Sequence, residues 1–248
     1  MKGVLLAGGT GSRLFPLTRI TNKHLLPIGD RPMVSYGIEA LVTAGISELM
    51  LVTGGTHAGE FLRLLSNGRE YGLDLLVYGY QERPGGIAEA LGLAQHFADG
   101  EPVCVMLADN IFERSIGPSI EAFRQKGSGA RVLLSEIEDA EHLRHLGVPS
   151  LAPDGRLERI VEKPSDPPSS YCVTGVYLYD ASVFEVIPTL VPSHRGELEI
   201  SDVNNHFIEA GEMSYDVIGG FWGDAGESID AYYAVNDFVR RNGANHHH

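Results

Sequence analysis

The sequence is poor in cysteine, in tryptophan and in basic residues, and it contains no long apolar run. Its 248 residues include 2 cysteines and 1 tryptophan, and 19 lysines and arginines stand against 33 aspartates and glutamates. The net charge of −14 argues against a broad electrostatic contact with nucleic acid or an anionic membrane. No segment reaches the roughly 18 apolar residues of a membrane span. We therefore expect no nucleic acid and no membrane as partners, and any phosphate ligand must meet a small, local cluster of cations.

Cys104 and Cys172 both lie in apolar runs, where buried, reduced thiols are expected rather than a disulfide or a metal site. This cysteine usage favours a reducing, cytoplasmic setting. The sequence begins without the apolar segment of a signal peptide, so we expect no secretion signal. Residues 246–248 are three histidines, which we interpret as the remnant of an expression tag in a tail at 242–248.

Short β-rich apolar runs alternate with segments of helical periodicity. The predicted strands are 3–7, 49–53, 73–80, 103–107, 131–135 and 173–179, and the predicted helices are 33–44, 60–65, 88–97, 116–124, 201–210 and 229–241. This order predicts an α/β fold with a Rossmann-like, mostly parallel (mixed) sheet flanked by helices. Residues 155–162 alternate like a two-sided strand after a turn at 153–155. We therefore also expect a β-rich lobe in the second half of the chain, beginning near residue 130.

A glycine-rich loop with the sequence GGTGSRL, residues 8–14, follows the first predicted strand. Its glycines let backbone N–H groups approach an anion closely. The loop is not a Walker A motif, because the Gly9-Thr10 pair stands where Lys-Ser/Thr is required, so that glycine replaces the lysine. It is not a dinucleotide fingerprint either, because Leu14 occupies the position of the third glycine.

Two cations accompany this loop, Arg13 within it and Lys23 shortly after it, and Pro16 and Pro27 favour a wrapped loop over a long helix. A guanidinium makes planar, bidentate contacts to phosphate oxygens, whereas an ammonium acts as a mobile point charge. The pair therefore predicts a phosphate site. The alternative is a glycine-rich turn with two solvated charges.

Asp109 follows the predicted strand 103–107, at the carboxyl edge where open α/β sheets bind ligands. Mg²⁺ usually takes one or two carboxylates together with substrate phosphates and water, so Asp109 is a candidate ligand. We choose Asp224 as the second, because Gly223 and Gly226 beside it allow a sharp presentation. The alternative for Asp224 is an ordinary turn aspartate.

Gln81, after the third strand, has an amide that both donates and accepts and could read the edge of a base; an exposed loop glutamine is the alternative. Glu162 and Lys163 are adjacent on a predicted strand and should face opposite sides, so that one of them could face a cleft.

The histidines at 57, 96, 142, 145, 194 and 206 show no metal spacing, and we interpret them as structural or solvated. No activated nucleophile is evident. A phosphate monoester is itself an anionic nucleophile near neutral pH and requires positioning and charge neutralisation.

Two motifs, LAGGTGSRL at 6–14 and NKHLLP at 22–27, resemble the signature of the sugar-1-phosphate nucleotidyltransferases. Within that group, DNIF at 109–112, EKP at 162–164, VTGVY at 173–177 and RGELEISD at 195–202 resemble the glucose-1-phosphate thymidylyltransferases. The resemblance extends in order over about residues 2–240.

The resemblance implies one domain at 1–241, with a nucleotide-binding half at about 1–110, a sugar-phosphate-binding half at about 111–227 and a C-terminal helix at 228–241. It implies dTTP and glucose 1-phosphate as substrates, dTDP-glucose and pyrophosphate as products, and Mg²⁺ as cofactor. The reaction would be a single in-line displacement that feeds deoxysugar biosynthesis, for example of dTDP-rhamnose.

The resemblance also implies a role for each candidate residue. The catalytic residues would be Arg13, Lys23, Asp109 and Asp224, with Mg²⁺ held by the two aspartates. The nucleotide would be bound by Ala7, Gly8, Gly9, Thr10, Gly11, Ser12, Arg13, Gln81 and Gly86. The sugar phosphate would be bound by Asn110, Gly147, Glu162, Lys163 and Val173.

The sequence departs from the family pattern at four positions. His24 replaces a frequent glutamine and Ala108 a usual glycine, changes that we expect to alter packing, and Ala225 replaces a frequent threonine. Leu146 replaces an aromatic residue and affects the expected shape of the sugar pocket. The chain resembles the short form of the family, without a C-terminal helical extension, and a homo-oligomer, dimer or tetramer, stays open.

Two alternatives to this function are kept. One is an enzyme of the same fold that uses UTP or another sugar 1-phosphate. The other is a non-catalytic sensor of nucleotide sugars, against which the four charged catalytic candidates argue, since a sensor has no transferring charge to stabilise.

Overall fold

The computed structural model of the chain describes residues 1–9 and 11–246. In chain order its strands are β1 (Lys2–Ala7), β2 (Pro27–Ile28), β3 (Arg31–Pro32), β4 (Glu48–Gly54), β5 (Leu75–Gln81), β6 (Val103–Leu107), β7 (Asn110–Phe112), β8 (Ala130–Glu136), β9 (Gly147–Leu151), β10 (Leu157–Glu162), β11 (Tyr171–Tyr179), β12 (Met213–Val217) and β13 (Trp222–Asp224). Its α-helices are α1 (Met33–Thr43), α2 (Ala58–Leu65), α3 (Ile87–Gly92), α4 (Gln95–Ala98), α5 (Gly117–Lys126), α6 (Ala140–Leu143), α7 (Val183–Val186), α8 (Ile200–Glu209) and α9 (Ile229–Asn242).

The central sheet has the strand order β12-β8-β11-β6-β1-β4-β5. Neighbouring strands are parallel except where β11 pairs with β6 and with β8, so β11 alone runs against the others. The predicted mostly parallel, mixed sheet is confirmed. The chain passes from β1 to β4 on one side and later returns to place β6 on the other. Ligands of open α/β sheets bind at the carboxyl ends of the strands beside such a switch point.

Alternating side chains along β1 divide the core into two layers. Leu5 packs in the layer that contains Ile38 of α1, whereas Val4 packs in the layer that contains Phe207 of α8. Successive residues of a strand point to opposite faces, so a continuous apolar run such as β1 is buried by helices on both sides. A third, smaller cluster joins α9 to the loop after β1 through Leu14 and Val235.

The predicted strands and helices agree with the structure to within about two residues, apart from the segment predicted as a helix at 88–97. That segment is two short helices, α3 and α4. Gly92, a poor helix former, ends α3, and the Ala94 amide donates to the Leu91 carbonyl oxygen at 2.9 Å. This i to i−3 bond tightens the chain into a turn between the two helices.

The expected additional antiparallel strands are confirmed, but they do not begin where the sequence suggested. Outside the central sheet, β9 pairs with β10, β7 with β13 and β2 with β3, each pair antiparallel, while β8, β11 and β12 belong to the central sheet. The expected beginning near residue 130 is therefore wrong. The reason is burial, because β11 is buried along nearly its whole length, as an interior strand covered on both faces must be.

The residues after α9 pack against the body of the protein. Asn245 is buried, its amide N–H donates to the Phe112 carbonyl oxygen at 2.8 Å, and its Nδ2 donates to the Tyr36 carbonyl oxygen at 3.1 Å. Residues 247 and 248 lie outside the described part of the chain. None of the helices in the described part is both long enough and apolar enough to cross a bilayer.

Candidate active site

The glycine-rich loop is folded by short-range backbone interactions. Gly9 and Gly11 have φ angles of 95° and 63°, which glycine adopts without steric cost. The Leu14 amide donates to the Gly11 carbonyl oxygen at 3.0 Å and closes a single 3-10 turn. Arg13 lies on this turn, exposed, with its side chain at the cleft described below.

Asn22 fixes the position of Lys23. Its Oδ1 accepts from the His24 amide at 2.9 Å, capping the turn that begins at Lys23, and its Nδ2 donates to the Ala7 carbonyl oxygen at 3.4 Å. The buried Asn22 thereby ties the end of β1 to that turn. Lys23 Nζ forms an ion pair with Asp109 Oδ2, and both side chains are nearly inaccessible.

Strand pairing brings the two predicted metal-binding aspartates together from distant parts of the sequence. β13 pairs with β7 so that Asp224 lies opposite Asn110, and the Ala225 amide donates to the Asp109 carbonyl oxygen at 2.9 Å. The Gly226 amide donates to Asp224 Oδ1 at 2.8 Å and orients that carboxylate.

The two carboxyl groups differ in charge state. Burial alone would raise the pKa of Asp109, but the Lys23 ammonium in contact with it holds that pKa well below its usual range. Burial, and then the charge of Asp109, raises the pKa of Asp224 to about 7. The Lys23 ammonium thus lies near two buried carboxyl groups and is in contact with only one of them, Asp109. Near neutral pH, Asp224 is therefore protonated part of the time.

This donor set fits Mg²⁺, a hard cation that takes one or two carboxylates together with phosphate and water oxygens. A divalent cation would supply the positive charge that the proton on Asp224 now supplies. Across residues 1–9 and 11–246, no group of three or more histidines, cysteines, aspartates and glutamates could hold a metal. Asp109 and Asp224 would therefore be the protein's whole share of such a site.

His24 is part of this site, beyond the packing change expected from the sequence. It is 1% exposed, its Nδ1 lies 2.8 Å from Asn22 Oδ1, and its Nε2 lies 3.9 Å from Asp109 Oδ2. Burial, and then the neighbouring Lys23 charge, lowers its pKa to about 3. The imidazole is therefore neutral and adds no cation beside Asp109.

Asn110 joins three parts of the site. Its Oδ1 accepts from the Gly175 amide at 2.8 Å and from Trp222 Nε1 at 2.7 Å, and its Nδ2 donates to Asp109 Oδ1 at 3.2 Å. Only glycine fits at position 175, because a Cβ there would lie 2.7 Å from Asn110 Cγ. Most of the hydrogen-bonding capacity of Asn110, a predicted sugar-phosphate ligand, is thus used inside the protein.

At the far end of the cleft, Gln81 ends β5 and meets the loop before α3. Its Nε2 donates to the Gly86 carbonyl oxygen at 3.2 Å and to Glu89 Oε1 at 3.1 Å. Gly86 has a φ of 101°, and a Cβ there would lie 2.8 Å from the Leu198 amide nitrogen. The loop therefore packs directly on the backbone before α8, at a distance only glycine permits.

Glu162 and Lys163 both line the cleft, so the expectation that they face opposite sides is wrong. β10 ends at Glu162, and Lys163 adopts a left-handed backbone with φ of 47°, which turns the chain instead of extending it. Lys163 Nζ lies 4.0 Å from Glu162 Oε1. Burial raises the pKa of Glu162.

Arg195, the first residue of the motif RGELEISD, lies beside Glu162 and Lys163. Its Nη2 contacts both carboxylate oxygens of Glu199 at 2.8 and 2.9 Å, and it lies 3.3 Å from Glu197 and 3.9 Å from Glu162. One guanidinium thus faces three carboxylates, so this wall of the cleft has a surplus of negative charge.

The predicted site residues of both halves converge on one cleft of about 330 Å³. The predicted residues that line it are Gly8, Gly9, Arg13, Lys23, Gln81, Gly86, Asp109, Asn110, Gly147, Glu162, Lys163, Val173 and Asp224. Of the predicted site residues that the structure describes, Ala7, Gly11 and Ser12 do not line it; Ala7 is buried at the end of β1. Thr10 lies outside the described residues.

Other cleft residues were not found from the sequence. His145 lines the cleft rather than being merely structural or solvated, and Glu227 lines it while pairing with His142 at 2.8 Å. Trp222 and Tyr177 also line it. Their types and spacing carry no signal, because each comes from a different element and they meet only in the folded chain.

A glycine-rich loop, two cations and two carboxylates at the switch point of a mostly parallel sheet are typical of an α/β protein that binds its ligand at the carboxyl ends of the strands. Residues 2–242 match the sequence model of the nucleotidyl transferase family, and the chain belongs to that family.

Named relatives agree with this membership. The chain is 41% identical to a glucose-1-phosphate thymidylyltransferase of Actinoplanes sp., over 97% of this chain and 78% of the relative. It is 38% identical to a protein of that name from Neisseria meningitidis, over 95% of this chain and 82% of the relative.

Solved structures agree as well. A candidate glucose-1-phosphate thymidylyltransferase from Bacillus anthracis, in complex with a sucrose, superposes with a TM-score of 0.91 at 43% identity, covering 97% of this chain and 95% of that one. A UDP-glucose pyrophosphorylase complexed with UDP-glucose has a TM-score of 0.83 at 23% identity, covering 97% and 98%, and shows the common fold.

Proposed function

We propose that the chain is a glucose-1-phosphate thymidylyltransferase, which converts dTTP and glucose 1-phosphate into dTDP-glucose and pyrophosphate. The observation that carries the proposal is the single cleft in which Arg13, Lys23, Asp109 and Asp224 meet the wall with Glu162 and Lys163. Relatives named for this activity at 41% and 38% identity support the choice of substrates. The product would feed the biosynthesis of deoxysugars such as dTDP-rhamnose.

In the proposed reaction, an oxygen of the sugar phosphate attacks the α-phosphorus of dTTP in line. The new oxygen–phosphorus bond forms as the bond to the bridging oxygen breaks, and that electron pair leaves with pyrophosphate. The attacking phosphate is already an anion, so positioning and charge neutralisation are required rather than a general base. This agrees with a cleft whose only described histidines are the neutral His24 and the wall residue His145.

Arg13 and Lys23 would neutralise different phosphate groups of the nucleotide. Arg13, exposed on the loop turn, would bind the leaving pyrophosphate together with the loop amides, since a guanidinium contacts two oxygens at once. Lys23 would neutralise the α-phosphate, and its pairing with Asp109 holds the ammonium in place before the substrate arrives.

Asp109 and Asp224 would hold Mg²⁺, which when bound screens the charge of the phosphate oxygens. In its unprotonated form the Asp224 carboxylate would share the cation with Asp109, and the negative charge of Asp109 beside it would favour a divalent ion at this place. The hydrogen bond from the Gly226 amide keeps the Asp224 carboxylate oriented.

The remaining contacts select the substrates. Gln81 and Gly86 would bind the base, and Gly147, Glu162 and Val173 would line the glucose pocket, where carboxylates accept from sugar hydroxyls. Lys163 would bind the sugar phosphate. Arg195 is already paired with Glu197 and Glu199, which leaves Lys163 as the cation of this wall suited to the role.

The test is release of pyrophosphate from dTTP and from UTP, side by side, with glucose 1-phosphate, in Mg²⁺ and in EDTA. We expect turnover with dTTP that depends on both the sugar phosphate and Mg²⁺. Equal or faster turnover with UTP would favour the UTP-using alternative. Binding of dTTP without release of pyrophosphate would favour a nucleotide-sugar sensor.

Asp109→Asn and Asp224→Asn test the metal ligands within the same assay. Each replacement keeps the size of the side chain but removes a charge, and each should sharply reduce turnover in Mg²⁺ while the protein remains folded. Asp74→Asn is the matched control, because Asp74 is exposed just before the amino end of β5, at the opposite end of the strands. Rates near wild type in both site variants would remove the metal assignment.

A further inference from the structure

The amide of Gln81 is held in one orientation by its surroundings. Its Nε2 faces two oxygens, the carbonyl of Gly86 at 3.2 Å and Oε1 of Glu89 at 3.1 Å. A carbonyl and a carboxylate only accept hydrogen bonds, so the amide nitrogen must face them. The amide oxygen then points away, toward Gly8, where a Cβ would lie 3.5 Å from it. The cleft therefore receives an acceptor in a fixed position.

Glu89 reaches Gln81 because Gly85 leaves room for it. A Cβ on Gly85 would collide with the Glu89 carboxylate, so that carboxylate lies directly against the Gly85 backbone. The Leu198 amide donates to the Gly85 carbonyl oxygen at 2.8 Å and holds this part of the loop still. Arg83 Nε lies 3.9 Å from the other oxygen of Glu89.

Glu89 differs from Gly86 in what it contributes. The Gly86 carbonyl belongs to the backbone and stays in any variant, whereas the Glu89 carboxylate is a charged acceptor, and hydrogen bonds to charged groups are the stronger kind. Without Glu89, Gln81 Nε2 would keep one of its two acceptors, so turning the nitrogen toward the cleft would break one hydrogen bond instead of two.

We propose that Glu89 is a specificity-determining positioning residue, which holds the Gln81 oxygen toward the base and thereby selects nucleotides whose base carries a ring N–H. The proposal rests on the proposed function, since it needs the base to lie at Gln81. Thymine and uracil present a ring N–H at position 3, where cytosine presents a bare nitrogen acceptor. A fixed amide oxygen accepts a hydrogen bond from the ring N–H of thymine or uracil. Against cytosine, the same oxygen faces the lone pair of the ring nitrogen, and this repulsion disfavours the wrong base.

The test compares the affinities for dTTP and dCTP, measured by titration calorimetry in Mg²⁺ without sugar phosphate. Glu89→Met removes the acceptor at similar length, and Gly85→Ala displaces the carboxylate without removing it. In both variants we expect the preference for dTTP over dCTP to fall by roughly 10- to 100-fold, the worth of one charged hydrogen bond. Glu82→Gln, the same loss of charge at an exposed site of this loop, should keep the wild-type preference.

Each outcome decides the matter. An unchanged preference in folded Gly85→Ala and Glu89→Met overturns the proposal, and so does an equal loss of affinity for both nucleotides, which would indicate a structural role only. If Glu89→Met does not fold, as judged by circular dichroism, Gly85→Ala decides alone. Absence of pyrophosphate release by the wild type, with the preference still lowered in the variants, would refute the proposed reaction and leave the role of Glu89 standing.

Discussion

Gly226→Ala tests the contact between Lys23 and Asp109 without removing either charge. An added Cβ would lie 2.6 Å from Lys23 Nζ and 3.2 Å from Asp109 Cγ. Optimal contacts begin at about 3.5 Å, so the ion pair must shift by about 1 Å to admit the methyl group. Gly226 is not among the glycines with positive φ, so alanine causes no backbone strain there. The whole effect should therefore fall on the geometry of the site.

A misplacement of about 1 Å in a catalytic group costs on the order of 10²-fold in rate, and we expect that loss in kcat/KM for dTTP. The assay is pyrophosphate release, with thermal unfolding to confirm the fold. Gly59→Ala in α2 is the control, since its added Cβ would have no described atom within 4 Å apart from its chain neighbours and the backbone of its own helix. It should keep full activity and gain roughly 0.5–1 kcal/mol of stability. Full activity in folded Gly226→Ala would refute the reasoning.

Three further predictions concern single residues. The pKa of His24 falls from 6.5 to about 3 on folding, so its stabilising contribution is present above pH 6.5 and is lost as the pH falls below it. Between pH 8 and pH 5.5 the wild type should lose about 1.4 kcal/mol more than His24→Gln in urea unfolding, with exposed His96→Gln as control; equal losses would refute this. Asn110→Ala leaves the buried N–H groups of Gly175 and Trp222 without their acceptor and should cost roughly 2–5 kcal/mol by the same method, and a cost under 1 kcal/mol would contradict it. Lys163→Ala should mainly raise KM for glucose 1-phosphate, and an unchanged KM would count against its role.

The order of elements could be predicted because it depends on local periodicity. An apolar run without alternation, such as β1, must be buried on both faces, and helices with one apolar face must cover it. The glycine loop, its cations and the strand-end position of Asp109 were found for the same reason, since each is a feature of consecutive residues.

The arrangement of Glu162 and Lys163 shows where this reasoning stops. Strand periodicity places neighbours on opposite faces, but one residue with left-handed backbone brings both into the cleft. The helix predicted at 88–97 fails similarly, because a single i to i−3 bond beside Gly92 divides it. Such local exceptions are decided by packing against the rest of the chain, and periodicity does not record them.

The sequence alone determined the alternation of strands and helices, the glycine-rich loop and the set of charged side chains, because these depend on neighbours along the chain. The tertiary structure decided which of these charges meet. Lys23 contacts Asp109, burial together with the charge of Asp109 raises the pKa of Asp224, and Glu89 accepts a hydrogen bond from the amide of Gln81. Each of these interactions joins residues from different elements, and its strength depends on distance and burial, which exist only once the chain has folded.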